Sequence, residues 1–173
     1  GHGAPVKSFG WSTDGVWLAT ASPGHGIKIW NTHTGKVKVF HNETGADTHH
    51  PDGTGLVYKL VWASDNNRLA VSYKWHNWLW IIDTETGDNY PQVETDDGGT
   101  NYGYEFTDDI WAMAWSRDSS MLAVGNGKDI VLLDPKSFEI THTLTGHQLT
   151  VMALQWGPDG LLACWPAGLR RSG

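Results

Sequence analysis

The chain has one cysteine, Cys164, in 173 residues, so no internal disulfide is available and no pair of thiols can build a zinc site of the CxxC type. Basic residues are also few: 12 Lys and Arg face 19 Asp and Glu, a formal charge of -7. That balance excludes the broad phosphate-neutralising surface on which nucleic-acid binding depends. There is no long apolar run and no basic segment leading into one, which excludes a spanning helix and a secretory leader among these residues. Nor does any segment keep an apolar period of 3.6, so helices are expected to be scarce. Folding must then rest on packing alone. The setting is read as intracellular and cytoplasmic, with the sequon Asn42-Glu43-Thr44 unused.

What the chain does have is 11 Trp and 21 Gly, residue types that gather where short strands meet tight turns. They recur in register. Phe9-Gly10-Trp11-Ser12-Thr13-Asp14-Gly15 leads into Leu18-Ala19, and Leu60-Val61-Trp62-Ala63-Ser64-Asp65-Asn66 into Leu69-Ala70. Ala114-Trp115-Ser116-Arg117-Asp118-Ser119 leads into Leu122-Ala123, and Gln155-Trp156-Gly157-Pro158-Asp159-Gly160 into Leu162-Ala163. Each copy reads as strand, turn, strand. A third strand follows at Ile27-Lys28-Ile29-Trp30-Asn31, Leu79-Trp80-Ile81-Ile82-Asp83 and Ile130-Val131-Leu132-Leu133-Asp134, and a fourth is clearest at 36–40 and 139–144. The four Trp fall 51, 53 and 41 residues apart, so the first two intervals carry extra loop.

Four short strands cannot bury both faces of their sheet alone, but stacked units can. With its opening pairs Gly1-His2 and Gly146-His147, its Asp-containing turns and its closing Trp30-Asn31, the chain resembles the WD-repeat family. The resemblance implies an all-β fold: a β-propeller arc of four-stranded antiparallel blades, incomplete as a ring. It divides one domain into units of about 1–44, 45–98, 99–145 and 146–163, with 164–173 an atypical tail. It also implies a buried hydrogen-bonded tetrad of His, Ser or Thr, Asp and Trp. His2, Ser22 (or Thr20) and Trp30 match it in the first unit and His147 opens the fourth, but Gly24 replaces the Asp. In the second unit His76 and Ile82 stand at the Asp and Trp positions, and in the third Gly127 and Leu133, so apolar packing is expected there.

Chemistry-bearing clusters are few. His41, Asp47, His49, His50 and Asp52 share one Gly-containing loop, which reads as a solvated connection between units in preference to a metal site, since no rigid element sets their spacing. No nucleophile sits in a GxSxG context, and Gly125-Asn126-Gly127-Lys128 is too short for a phosphate loop. No catalytic residue, metal or cofactor is expected. The stretch 88–109 mixes carboxylates with aromatics, a composition suited to recognition because aromatic anchors supply interface energy and charge supplies orientation. The candidate partner-binding residues are Trp75, His76, Asp96, Asp97, Tyr102, Tyr104, Asp108, Asp109 and Trp111.

The function expected is a protein-interaction scaffold, a fragment of a larger multidomain protein whose partners are other proteins. The alternative is a propeller accessory domain of a hydrolase or TolB-like protein. Open blade edges also point to self-association.

Overall fold

The computed structural model describes residues 1–23, 26–40, 56–74, 76–90, 92–94, 100–102 and 104–167, and all the regular structure among them is β. Alternation and turn chemistry explain the first sheet. Strands β1 (Ser8–Trp11), β2 (Trp17–Ala21), β3 (Ile27–Asn31) and β4 (Val37–Phe40) pair antiparallel in sequence order. The turn after β1 closes because Ser12 Oγ donates to Asp14 (2.6 Å), whose carboxylate accepts the Val16 amide (2.9 Å), while Ser12 Oγ accepts from the Trp17 amide (2.8 Å). Trp11 then pairs with Leu18. The same position of this turn, four residues beyond each repeated Trp, has positive φ in all four copies: Gly15 (72°), Asn66 (60°), Ser119 (59°) and Gly160 (80°).

The second sheet contains β5 (Leu56–Trp62), β6 (Arg68–Lys74), β7 (His76–Asp83) and β8 (Asn89–Tyr90). Strands β9 (Gln92–Glu94) and β10 (Thr100–Tyr102) pair as a separate hairpin, and β11 (Tyr104–Glu105) returns to β7. The eight residues of β7 are too many for β8 alone: β8 pairs at Ile81 and Ile82, and Tyr104 and Glu105 take the remaining edge at Leu79 and Trp78. The outer strand of the second sheet is thus supplied from both sides of the segment 91–103, and the sheet extends past the expected unit boundary at residue 99.

The third sheet repeats the plan with β12 (Ile110–Trp115), β13 (Leu122–Asn126), β14 (Asp129–Leu133) and β15 (Ile140–Leu144). The fourth contains β16 (Val151–Trp156) and β17 (Leu162–Pro166), paired through Val151 and Pro166. Cys164, Trp165 and Pro166 are thus strand, not the start of an atypical tail; Pro166, which has no amide to donate, sits at the strand's end where none is needed.

The sheets stack side by side through their first strands, β1 beside β5, β5 beside β12 and β12 beside β16. Each joint holds an apolar core. Ala19, Ala21, Ile27 and Ile29 of the first sheet meet Leu60, Trp62, Leu69 and Val71 of the second. Ala63, Ala70, Leu79 and Ile81 meet Met113, Trp115, Leu122 and Val124. Ala112, Ala123, Ile130 and Leu132 meet Val151, with Leu154, Trp156 and Leu162 packed against them. One hydrogen bond recurs across every joint. Trp62 Nε1 donates to the Gly10 carbonyl, Trp115 Nε1 to Val61 and Trp156 Nε1 to Ala114, each at 3.0 Å.

A second clasp links the turns. Asn66 Oδ1 accepts from Thr13 N (2.8 Å) and Thr13 Oγ1 (2.6 Å), and Ser119 Oγ accepts from Asp65 N (3.0 Å). At the third joint Gly160 has no side chain to offer. A groove of about 540 Å³ lies there, lined by Arg117, Met121, Trp156 and Pro158 among others.

Candidate functional site

The polar network of the first sheet centres on Thr20. Its Oγ1 lies 2.7 Å from His2 Nε2 and accepts a hydrogen bond from Trp30 Nε1 at 2.8 Å. Ser22 does not take this place: its hydroxyl donates to the Ala4 carbonyl at 2.9 Å. Thr20 and Ser22 share a strand face, so alternation alone could not choose between them; depth along β2 does. Gly24 lies outside the described residues. The fourth sheet repeats the pair, with His147 Nε2 3.0 Å from Cys164 Sγ, since His147 precedes Trp156 by the same interval as His2 precedes Trp11. In the third sheet Phe106, Val124 and Leu133 occupy the places of His2, Thr20 and Trp30, and all three are buried in one apolar cluster. An unpaired hydroxyl or imidazole there would be costly, and an all-apolar set avoids the cost.

The candidate recognition residues separate on folding. Tyr104 packs against the core at the second joint, its ring 4.7 Å from that of Phe106, and Phe106 is itself buried. Tyr104 is therefore a packing residue, because β11 is tied into the second sheet. Asp109 and Trp111 come together. With Tyr58, Tyr73 and Ile110 they line a shallow recess of about 10 Å³ at one end of the second joint, room for a single water. Tyr58 and Trp111 meet edge to face at 5.1 Å, and Tyr73 packs on Trp80 at 4.9 Å, so the aromatic walls are fixed by rigid strands.

Asp108 is exposed beside the recess. Its amide and the Thr107 hydroxyl both donate to Asn126 Oδ1, at 3.0 and 3.1 Å. Asn126 and Asp129 flank a two-residue hairpin turn whose first residue, Gly127, has φ of 60°. A β-carbon at Gly127 would come within 2.6 Å of the Asp108 carboxylate, so a larger residue in this turn would push the acid aside. Lys59, on β5, is half-buried; its Nζ donates to the Trp111 carbonyl at 3.4 Å, and burial pushes its pKa down. Tyr58 and Tyr73 were missed in sequence because each reads as an ordinary strand aromatic; only the joint brings them to Trp111. Trp75, Asp96 and Asp97 lie outside the described residues, as does the cluster His41, Asp47, His49, His50 and Asp52. His76 begins β7 and Tyr102 ends β10, with side chains outside the description. Among the described residues no three His, Cys, Asp or Glu side chains gather as metal ligands, and no helix is long and apolar enough to cross a membrane.

Side-by-side antiparallel sheets with their first strands inward define an arc of a β-propeller. The profile of the WD domain, G-beta repeat family matches residues 1–31, 100–132 and 138–164, more than half of the sequence. The chain belongs to the WD-repeat family. It is 28% identical over 96 residues to a ribosome biogenesis protein BOP1 homolog of Oryza sativa subsp. japonica, covering 55% of this chain and 12% of that protein. It is 28% identical over 169 residues to Protein HIR1 of Cryptococcus neoformans var. neoformans, covering 90% of this chain and 19% of that protein. The chain thus spans less than a fifth of either relative. The β-propeller domain of Cps50 (Swd1) from Myceliophteria thermophila superposes with a TM-score of 0.68 at 17% identity, over 96% of this chain and 51% of that one.

Proposed function

We propose that the chain is a non-catalytic scaffold that binds another protein at the end of the second joint, where Asp108, Asp109, Trp111 and Tyr58 lie together. One observation carries the reading: strands of two neighbouring sheets bring a fixed aromatic pair to one recess, with Asp109 in its lining and the exposed Asp108 next to it in the chain. Aromatic surface held rigid in this way contributes binding energy at little entropic cost, and the acids beside it orient a basic partner segment. The chain's negative charge favours the same kind of partner. The name of one relative, a ribosome biogenesis protein, agrees with an intracellular setting for this reading.

The test is quantitative affinity capture from cell extract with the wild-type chain, the charge-reversed pair Asp108→Lys and Asp109→Lys, and Glu85→Lys, which sits in the turn after β7, as a control. The rim variant is expected to lower recovery of its specific partners by about tenfold, and the control to leave it unchanged. Equal recovery by all three chains overturns the assignment of this rim.

A further inference from the structure

Four places before each repeated Trp, near the start of the first strand, stand Lys7, Tyr58, Trp111 and Met152. The second joint is the one that has an aromatic ring there on both sides. Both rings sit at β-bulges. In β5 the register slips between Val57 and Lys59, which leaves Tyr58 out of the ladder, and in β12 it slips between Ile110 and Met113, a stretch that includes Trp111. A bulge of this kind re-aims the side chain it carries. The planes of the two rings stand 78° apart with their centres at 5.1 Å, so they form a corner. Tyr73, buried and packed on Trp80, is a third wall, and the half-buried Asp109 adds a carboxylate. At the other two joints the place of Tyr73 is taken by Ser22 and Asn126, and no such corner is built. The space enclosed at the second joint is about 10 Å³, the size of one water.

We infer that this recess seats the ammonium of an unmodified lysine side chain of the partner protein, in preference to an arginine. The inference deepens the partner-binding reading of the rim and rests on it. An ammonium is a compact point charge of about the size of a water, whereas a guanidinium is a wide planar fork that can only lie across the mouth. Aromatic walls attract a desolvated cation, and the Asp109 carboxylate supplies the countercharge that a half-buried ammonium requires. The exposed Asp108, next in the chain, favours the approach of a basic segment. Lys59 is the opposing group. It is half-buried and outside the lining, with its Nζ donating to the Trp111 carbonyl at 3.4 Å. Its charge raises the cost of a second ammonium, so Asp109 is required for binding. The size limit also makes the site sensitive to modification of the partner: methyl groups on the lysine nitrogen exceed the space, and acetylation removes the charge.

Titration of the full chain with capped, glycine-flanked peptides carrying a central lysine, arginine, trimethyllysine or norleucine tests this, read from the Trp111 indole N–H resonance as assigned through Trp111→Phe. The lysine peptide is expected to shift that resonance saturably, and the other three to bind at least about tenfold more weakly. Asp109→Asn, which keeps shape and removes charge, is expected to weaken the lysine peptide by a similar factor while the near-ultraviolet dichroism stays unchanged. Arginine binding as tightly as lysine, tighter binding of trimethyllysine, or no saturable shift by any peptide overturns the inference, as does lysine binding that Asp109→Asn leaves unaltered. Extract capture with the charge-reversed rim separates this failure from that of the reading beneath it. Recovery that still depends on Asp108 and Asp109 leaves the rim as a binding surface for a different group, and recovery independent of them removes the rim reading as well.

Discussion

Thr20 shows how much one hydroxyl decides. It joins His2 and Trp30, while the equivalent positions of the next two units, Val71 and Val124, are apolar and buried. Thr20→Val keeps shape but strips both rings of their shared partner, and is expected to lower stability by about 1 kcal/mol in denaturant titration. Thr20→Ser retains the hydroxyl and is expected to lose less than half of that. The sequence already marks His2 and Trp30. It offers two hydroxyls on one strand face, and only the packed depth of β2 separates Thr20 from Ser22.

At the scale of the element, the turns after the repeated Trp are held by carboxylates. The Asp118 pKa is lowered to about 2, first by the Ser116 hydroxyl and then by the amide and hydroxyl of Ser120. Asp14 is lowered in the same way by the Ser12 hydroxyl, then the Val16 amide. Because each folded pKa lies below the unfolded one, the stabilisation is present above about pH 4 and is lost on acidification, for Asp118 as pH falls through about 2. Asp118→Asn can still accept these hydrogen bonds but cannot titrate. Its melting temperature is expected to fall less steeply than the wild type's between pH 4 and 2, and parallel curves would show that this carboxylate is not what the acid limb reports. These turns were legible, since a small residue and an Asp recur one and three places after each repeated Trp. The split outer strand was not, because β8 and β11 are two residues each and are separated by an insertion that carries its own hairpin. The strand through Cys164 and Pro166 was obscured by Trp165, which breaks a run of small residues without breaking the backbone ladder.

For the whole molecule, stability resides in the joints. At the first joint a β-carbon on Gly10 would lie 2.8 Å from the Leu60 carbonyl, a backbone atom that yields only if β1 and β5 separate. Gly10→Ala is expected to destabilise the chain by about 1–3 kcal/mol and to change the near-ultraviolet signal of Trp62, whose indole bonds the Gly10 carbonyl; an unaltered signal would show that the joint accommodates the methyl group. The repeating small positions were readable along the chain, but which neighbour each one faces required the stacked sheets. The stagger between sequence repeat and sheet has a consequence of its own. The matched stretch 100–132 begins at β10, ahead of the strand β11 that completes the second sheet's edge, and ends inside the third sheet, and 138–164 likewise begins ahead of β15 and ends in β17. Each length of chain thus finishes the sheet before it. A polypeptide severed between Tyr90 and Tyr104 would keep its pieces associated, since the downstream piece holds the strand that completes the upstream sheet and the second joint besides. That interval is where a protease site or foreign sequence could enter while the arc stays assembled.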